Sequence, residues 1–362
     1  MTLTQRIGQL CMIGFEGPEV TPDLRAWIKE YRPGGVILFS RNLVDAEQIA
    51  HLTNELQDIA GDVPLLIAID QEGGRVSRLP RGFTIFPPAG IVASSGSTEL
   101  AYQAAAVTAK ELRAVGINMN MAPVLDVHTN PVNPIIGDRA FSTDPEQVGL
   151  MGAATIAGLH DHLVLACGKH FPGHGDTSKD SHLELPVVTV SRERLDAVEL
   201  QPFRYAIQHG LQAMMTAHVH YPSLDPGNPA TLSHTILSEL LRQDMGFQGL
   251  IFSDDLEMRA ILNHSSVGDA AVRSMQAGVD ILLICKTREL ETQAIEAVRQ
   301  AVDSGDITLK SIEARQARLQ RVKQQFVYPF QPVDSTRIKH MVGITAHQIL
   351  LSQIREQSRT VI

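Results

Sequence analysis

The sequence predicts an α/β protein built as a single (β/α)8 barrel of TIM type. Two observations carry that reading. Eight short apolar runs alternate with helical segments from 10–15 to 280–285, which is the rhythm of parallel strands joined by crossover helices. The run 64–70 (Pro-Leu-Leu-Ile-Ala-Ile-Asp) is apolar on both of its faces, as a parallel strand covered by helices must be. A doubly wound open sheet stays possible at this stage, because alternation alone does not demonstrate closure. With 362 residues, 44% of them hydrophobic, the chain can bury a large core. The expected division is a barrel over 1–330 and a C-terminal extension over 331–362, a docking helix or tail.

The elements follow in order. After the first strand at 10–15, Thr21-Pro22 reads as an N-cap with proline in the first turn, opening a helix to about Tyr31. A strand at 35–39, a helix at 44–60 and the strand at 64–70 follow, then a helix at 97–115. The fourth strand, 117–127, is interrupted near Pro123. Asp144-Pro145 starts a helix to His160, and the run ending at Cys167 is the fifth strand. Ser191 caps a helix stopped by Gly210; a strand at 213–218, a helix at 233–246 and a strand at 249–254 come next. A helix at 257–277, the eighth strand at 280–285, and helices at 289–303 and 308–326 complete the barrel. One amphipathic segment, 344–354, lies in the extension.

Composition narrows the function. The net charge is -9 with no run of Lys or Arg, which argues against nucleic acid and anionic membranes as partners. No apolar run approaches the ~20 residues of a membrane span, and the N-terminus lacks a basic segment followed by a long apolar stretch. A soluble, cytoplasmic protein is expected. Cys11, Cys167 and Cys285 are odd in number, far apart and each inside an apolar run; buried free thiols are expected.

The chemistry concentrates where a barrel builds its site, at the C-terminal ends of the strands. The third strand ends in Asp70-Gln-Glu-Gly-Gly-Arg75-Val-Ser-Arg78, the fifth in Lys169-His170, the sixth in His218-Val-His220 and the seventh in Ser253-Asp254-Asp255; the loop after the fourth carries Gly137-Asp-Arg139. Each could be a cap or a surface ion pair taken singly; their common placement on one rim is harder to explain that way. Asp254 closes an apolar run, so its carboxylate is either a nucleophile or ligand, or a loop anchor. Simple alternation turns Asp255 to the opposite side. Asp70, Arg78 and Arg139 could grip a hydroxylated or anionic ligand, or form a buried ion-pair cluster, and Gly73-Gly74 would let the backbone come close. The loop 169–186 holds three His, two Asp and two Lys. Within it Asp180-Ser-His182 sets a carboxylate beside an imidazole, which suits a proton shuttle near neutral pH. His174, His218 and His220 invite zinc, but no third ligand set has metal spacing; neither a metal nor a cofactor is expected.

Taken together, Asp70-Gln-Glu-Gly-Gly-Arg75, Ala122-Pro-Val-Leu-Asp126, Lys169-His-Phe-Pro-Gly-His-Gly-Asp176-Thr, Asp180-Ser-His182 and Phe252-Ser-Asp-Asp-Leu256 resemble the family 3 glycoside hydrolases, specifically the single-domain β-N-acetylhexosaminidase branch. The resemblance covers roughly residues 5 to 325. It implies a retaining double displacement with Asp254 as nucleophile and His182, oriented by Asp180, as general acid/base. It also implies that Asp70, Arg78, Arg139, Lys169 and His170 bind the terminal N-acetylglucosamine, and that peptidoglycan muropeptides are the substrate. An imidazole acid on a loop departs from the two-carboxylate rule of most retaining glycosidases. Glu257 stands where the family pattern leads one to expect Ser.

Four rivals stay open. The N-acetyl group could itself be the nucleophile, with Asp254-Asp255 or Glu257 assisting. Phosphate could resolve the covalent intermediate, giving a phosphorylase. From other classes, a metal-dependent amidohydrolase would be silenced by chelators, and a non-catalytic amino-sugar-binding barrel would be indifferent to mutation of His182.

Overall fold

Eight parallel strands close on one another in chain order, β1 pairing with both β2 and β8. The strands of this computed structural model, which describes residues 1–181 and 183–359, are β1 Cys11–Ile13, β2 Gly35–Leu38, β3 Leu66–Ile69, β4 Met119–Asn120, β5 Leu165–Phe171, β6 Ala213–Thr216, β7 Leu250–Asp255 and β8 Ile281–Ile284. The barrel expectation holds and the open sheet falls away. The strands through β4 and β6 are buried throughout, so the apolar runs are continuous because both faces are covered.

Helices form the outer ring: α1 Leu3–Gly8, α2 Pro22–Tyr31, α3 Ala46–Ala60, α4 Ala89–Ser94, α5 Thr98–Ala114, α6 Pro145–His160, α7 Arg192–Ala197, α8 Gln201–Gln208, α9 Arg259–Leu262, α10 Val267–Ala277, α11 Arg288–Ser304, α12 Leu309–Phe326 and α13 Thr345–Arg359, with a π-helix over Thr235–Asp244. The expected caps are formed: the side chains of Thr21, Asp144 and Ser191 accept backbone N–H groups of Leu24, Glu146 and Arg194, satisfying donors that the first turn leaves open.

The departures have local causes. The helix expected over 191–210 divides into α7 and α8, with Pro202 in the first turn of the second, where its missing N–H costs nothing. The helix expected over 257–277 divides into α9 and α10, and Glu257 is drawn out of it: its carboxylate accepts the N–H groups of Lys286 and Thr287 and the Thr287 hydroxyl. The long fourth strand reduces to two residues, after which Val124 makes only an isolated bridge to Lys169. Helices α1 and α4 have no counterpart in the sequence reading; α1 begins with a capping box between Thr2 and Gln5, an S/T-x-x-E/Q signal that is legible.

Cys11, Cys167 and Cys285 are buried and free. Among the described residues, no helix is long and apolar enough to cross a membrane. After α12 the chain returns across the barrel, and Leu351 and Ile354 of α13 pack with Phe86, Val92, Ala93 and Leu100.

Candidate active site

The site is built from an extended strand. β5 runs on past Cys167 to Phe171, so Lys169 and His170 stand inside its last turns of pleat rather than beyond it. Lys169 is buried, and its Nζ lies 2.7 Å from Asp70 Oδ1 and 2.7 Å from Glu72 Oε1. Arg139 is held by the other side of Glu72, Nε to Oε2 and Nη2 to Oε1 at 2.8 Å each. Burial alone would raise the Glu72 carboxyl, but Lys169 and Arg139 together bring it down to about 2. Burial likewise opposes the charge of Lys169, and Asp70 and Glu72 overcome it, raising its pKa above the ordinary lysine value. Glu72, Lys169 and Arg139 are therefore ionised at neutral pH.

Asp70 pairs with Lys169, while Arg139 is taken by Glu72, a residue absent from the sequence-based candidates. The signal was available: Asp70 and Glu72 are two apart, the period that returns to the same face of an extended chain. Arg78 reaches the cavity wall, its backbone N–H fixed by Gln71 Oε1 at 3.0 Å, and its Nε is buried without a hydrogen-bond partner among the described residues. The pair Gly73-Gly74 has positive φ at both positions, and a Cβ on Gly73 would lie 2.7 Å from the Pro87 carbonyl oxygen. The glycines let the loop close on itself.

His170 Nδ1 lies 2.7 Å from Asp126 Oδ2, and the backbone N–H groups of His170 and His174 donate to Asp126 Oδ1 at 3.1 and 2.6 Å. Burial pushes the Asp126 carboxyl up, and His170 and His174 pull it below its ordinary range. Asp126 thus orients His170. His174 is buried as well, and burial, with His170 nearby, lowers its pKa to about 4, so the ring is neutral. Its tautomer follows from the donors around it. Thr177 Oγ1 donates to the His174 carbonyl at 3.1 Å and so accepts from Nδ1–H at 2.8 Å; Nε2 is then the acceptor for the Ser181 hydroxyl at 3.1 Å.

Ser181 is thereby pinned beside the turn that follows it. Its hydroxyl meets His174, its carbonyl accepts the N–H of Ala260 in α9 at 3.3 Å, and the carbonyl of Asp180 accepts the N–H groups of Leu183 and Glu184. His182, the expected acid/base, lies outside the described residues.

Asp254 is the penultimate residue of β7 and lines the same cavity as Asp70, Arg78, Arg139, Lys169 and His170, a space of about 220 Å³. Its Oδ1 accepts the N–H of Asp255 at 2.8 Å and its own N–H donates to Thr216 Oγ1 at 3.4 Å. Asp255 does not turn away as alternation predicts. The β7–β8 register shifts between Phe252 and Asp255, and both residues line the cavity. Asp255 Oδ1 accepts the N–H groups of Glu257 and Cys285, yet burial first, with the charges of Glu257 and Asp254, raises the carboxyl to about 7.

The two histidines after β6 do not converge. His218 is turned to Thr231 Oγ1 and the Asp255 carbonyl, at 2.7 and 2.9 Å, and His220 to the Asp225 carbonyl at 3.1 Å. β6 stops at Thr216, so the strand alternation that would have put both rings on one face is lost. Among the described residues, no group of three His, Cys, Asp or Glu side chains is arranged to hold a metal ion.

A barrel with paired carboxylates and fixed cations around one deep cavity at its strand ends is a scaffold for bond cleavage in a polar, ring-sized substrate, and comparison with known proteins gives the class. Residues 2–322 match the glycosyl hydrolase family 3 N-terminal domain. A β-hexosaminidase of Alkalilimnicola ehrlichii is 39% identical over 310 residues, 84% of this chain and 88% of that one. A family 3 β-N-acetylglucosaminidase of Paenibacillus superposes with a TM-score of 0.93 at 43% identity, over 99% of this chain and 69% of that one. NagZ of Neisseria gonorrhoeae, solved with N-trifluoroacetyl-D-glucosamine, does so with a TM-score of 0.80 at 32% identity, over 96% and 98%. The chain belongs to glycosyl hydrolase family 3 and is a glycoside hydrolase.

Proposed function

We propose that this hydrolase is a retaining exo-β-N-acetylglucosaminidase that forms a covalent glycosyl-enzyme on Asp254, with His182, oriented by Asp180, as general acid/base. The observation that carries the reading is the shared cavity: Asp254 opens onto the same buried space as the Asp70–Lys169–Glu72–Arg139 cluster. The names of the relatives support the amino sugar, since they act on or were solved with N-acetylhexosamine compounds.

In this reading the ionised cluster orients the hydroxyls of one terminal sugar, Asp70 accepting and Lys169 and Arg139 donating, while the buried Arg78 Nε supplies a donor with no other partner among the described residues. Asp254 attacks the anomeric carbon as the glycosidic C–O bond breaks and imidazolium His182 protonates the leaving oxygen. In the second half neutral His182 takes a proton from water, the hydroxide adds to the anomeric carbon, and the ester bond to Asp254 breaks. Fixing the cluster before substrate arrives spares the reorganisation that water would need. Peptidoglycan muropeptides, encountered in the cytoplasm, are the substrate that the family resemblance implies.

One observation favours a second reading. Asp255 also lines the cavity, with a carboxyl protonated up to about pH 7, as the general acid that protonates the leaving oxygen in an acetamide-assisted route would need to be. Its Oδ1, however, is occupied by two backbone donors, which suits an anchor between β7 and β8. The test is the anomer first formed from an aryl β-N-acetylglucosaminide, followed by proton NMR with and without phosphate. The β-hemiacetal in both buffers supports a retaining hydrolase; an α-hemiacetal removes the mechanism, and a glycosyl phosphate makes the enzyme a phosphorylase. Retention alone does not separate the two nucleophiles, which trapping on Asp254 does.

A further inference from the structure

A buried carboxylate outside the cavity joins three parts of the chain. Glu111 of α5 is 1% exposed. Its Oε1 accepts the Thr84 hydroxyl at 2.7 Å, the Gly343 N–H at 2.9 Å and His347 Nδ1–H at 2.7 Å, and its Oε2 accepts the Thr84 N–H at 2.7 Å. Gln348 adds a donor to Thr84 Oγ1 at 3.0 Å. Gly343, at φ 60°, presses so closely on the same stretch that a Cβ there would meet the Gly82 carbonyl oxygen at 1.9 Å.

Thr84 belongs to the loop that leaves β3, and that loop is a cavity wall. Its first leg carries Glu72, Val76 and Arg78, all lining the cavity. Its return leg is tied to the first where the Gly74 N–H donates to the Phe86 carbonyl at 2.9 Å, and Phe86 is packed in the cluster that contains Leu351 and Ile354 of α13. The loop has no regular secondary structure from Gln71 to Pro88, so its shape depends on what grips it. The gripping residues 343–358 lie beyond residue 322, where the family match ends.

We propose that the C-terminal segment 331–359 is a positioning element of the sugar pocket. It fixes the β3 loop, and with it Arg78 and Glu72, through the Glu111–His347 junction. Glu111 and His347 touch no substrate; they act through Thr84. The catalytic consequence rests on the proposed glycosidase reading, whereas the bracing of the loop does not.

The test compares full-length His347→Leu, which removes the donor, with His347→Asn, whose amide nitrogen can stand near the position of Nδ1, and with Ile349→Ala on the exposed face of α13. Amide hydrogen exchange over 71–88 and the KM and kcat for an aryl β-N-acetylglucosaminide are measured on each. The expected result for His347→Leu is faster exchange over 71–88 and a KM raised on the order of ten-fold, with kcat falling less, because binding contacts are loosened more than the reacting groups. Asn restores both, and Ile349→Ala changes neither. Unchanged exchange in His347→Leu overturns the proposal, as does faster exchange with an unchanged KM, or a lower melting temperature alone. If the wild type does not cleave the aryl substrate, it is the glycosidase reading that fails, and exchange alone decides whether the brace exists.

Discussion

The carboxylate of Glu72 holds the guanidinium of Arg139 in a two-point grip, Nε on Oε2 and Nη2 on Oε1, both 2.8 Å. Its Oε1 is shared with Lys169, so one buried anion balances two cations in the cavity wall. Glu72→Gln leaves those cations undercompensated in a low-dielectric site, a loss of about 3–5 kcal/mol for a broken buried pair. Chemical denaturation at pH 7 is expected to show that loss. The pH dependence has a definite sign. A folded pKa of about 2 lies below the unfolded value, so the stabilisation is present above about pH 4 and drains away as pH falls toward 2. In Glu72→Gln that acid limb flattens.

Asp255 has the opposite sign. Its folded carboxyl titrates at about 7, above the unfolded value, so the unfolded chain releases the proton first and stability falls as pH rises from about 4 to 7. Asp255→Asn keeps an acceptor for the Glu257 and Cys285 N–H groups and removes the titration. Melting temperature against pH is therefore expected to be flatter for the variant across that window. Retained turnover in the variant fits an anchoring role; a loss of three orders of magnitude or more with stability intact would favour the acetamide-assisted route.

Ser181→Ala removes the hydroxyl that donates to His174 Nε2 and should loosen the backbone at Asp180 and Ser181, the residues that precede His182 in the sequence. Proton delivery is then the step to suffer. Cleavage of a disaccharide, whose leaving oxygen needs protonation, is expected to slow on the order of ten-fold, and cleavage of a dinitrophenyl glycoside much less. Equal losses on both substrates would assign Ser181 to folding alone. His182→Ala is expected to show the same contrast on a larger scale.

Much of the fold was legible because a barrel repeats one physical unit. Runs such as Leu66–Ile69 and Ile281–Ile284 are apolar on both faces, and Thr21, Asp144 and Ser191 announce helix starts. Asp70, Arg78, Arg139, Lys169, His170 and Asp254 were legible because strand ends are where a barrel exposes polar groups, and the structure brings all six to one cavity. The partnerships were not legible. That Lys169 turns to Asp70 and Glu72, or that Asp126 orients His170, depends on side chains separated by tens of residues and on a two-residue β4. Asp255 was misassigned because a register shift breaks the strand period, and His218 and His220 because β6 ends before them. Glu111 and His347 carry no motif; their meeting across 236 positions exists only in the folded chain.

The proposed mechanism passes through a covalent sugar ester on Asp254. The most direct measurement is the intact mass of the protein after mixing with an activated 5-fluoro N-acetylglucosaminyl fluoride, with Asp254→Asn alongside. A mass increase of one fluorosugar is expected on the wild type alone, mapping to the peptide that contains Asp254. A wild type that hydrolyses the aryl glycoside yet never gains that mass, or gains it equally when Asp254 is replaced, would contradict it.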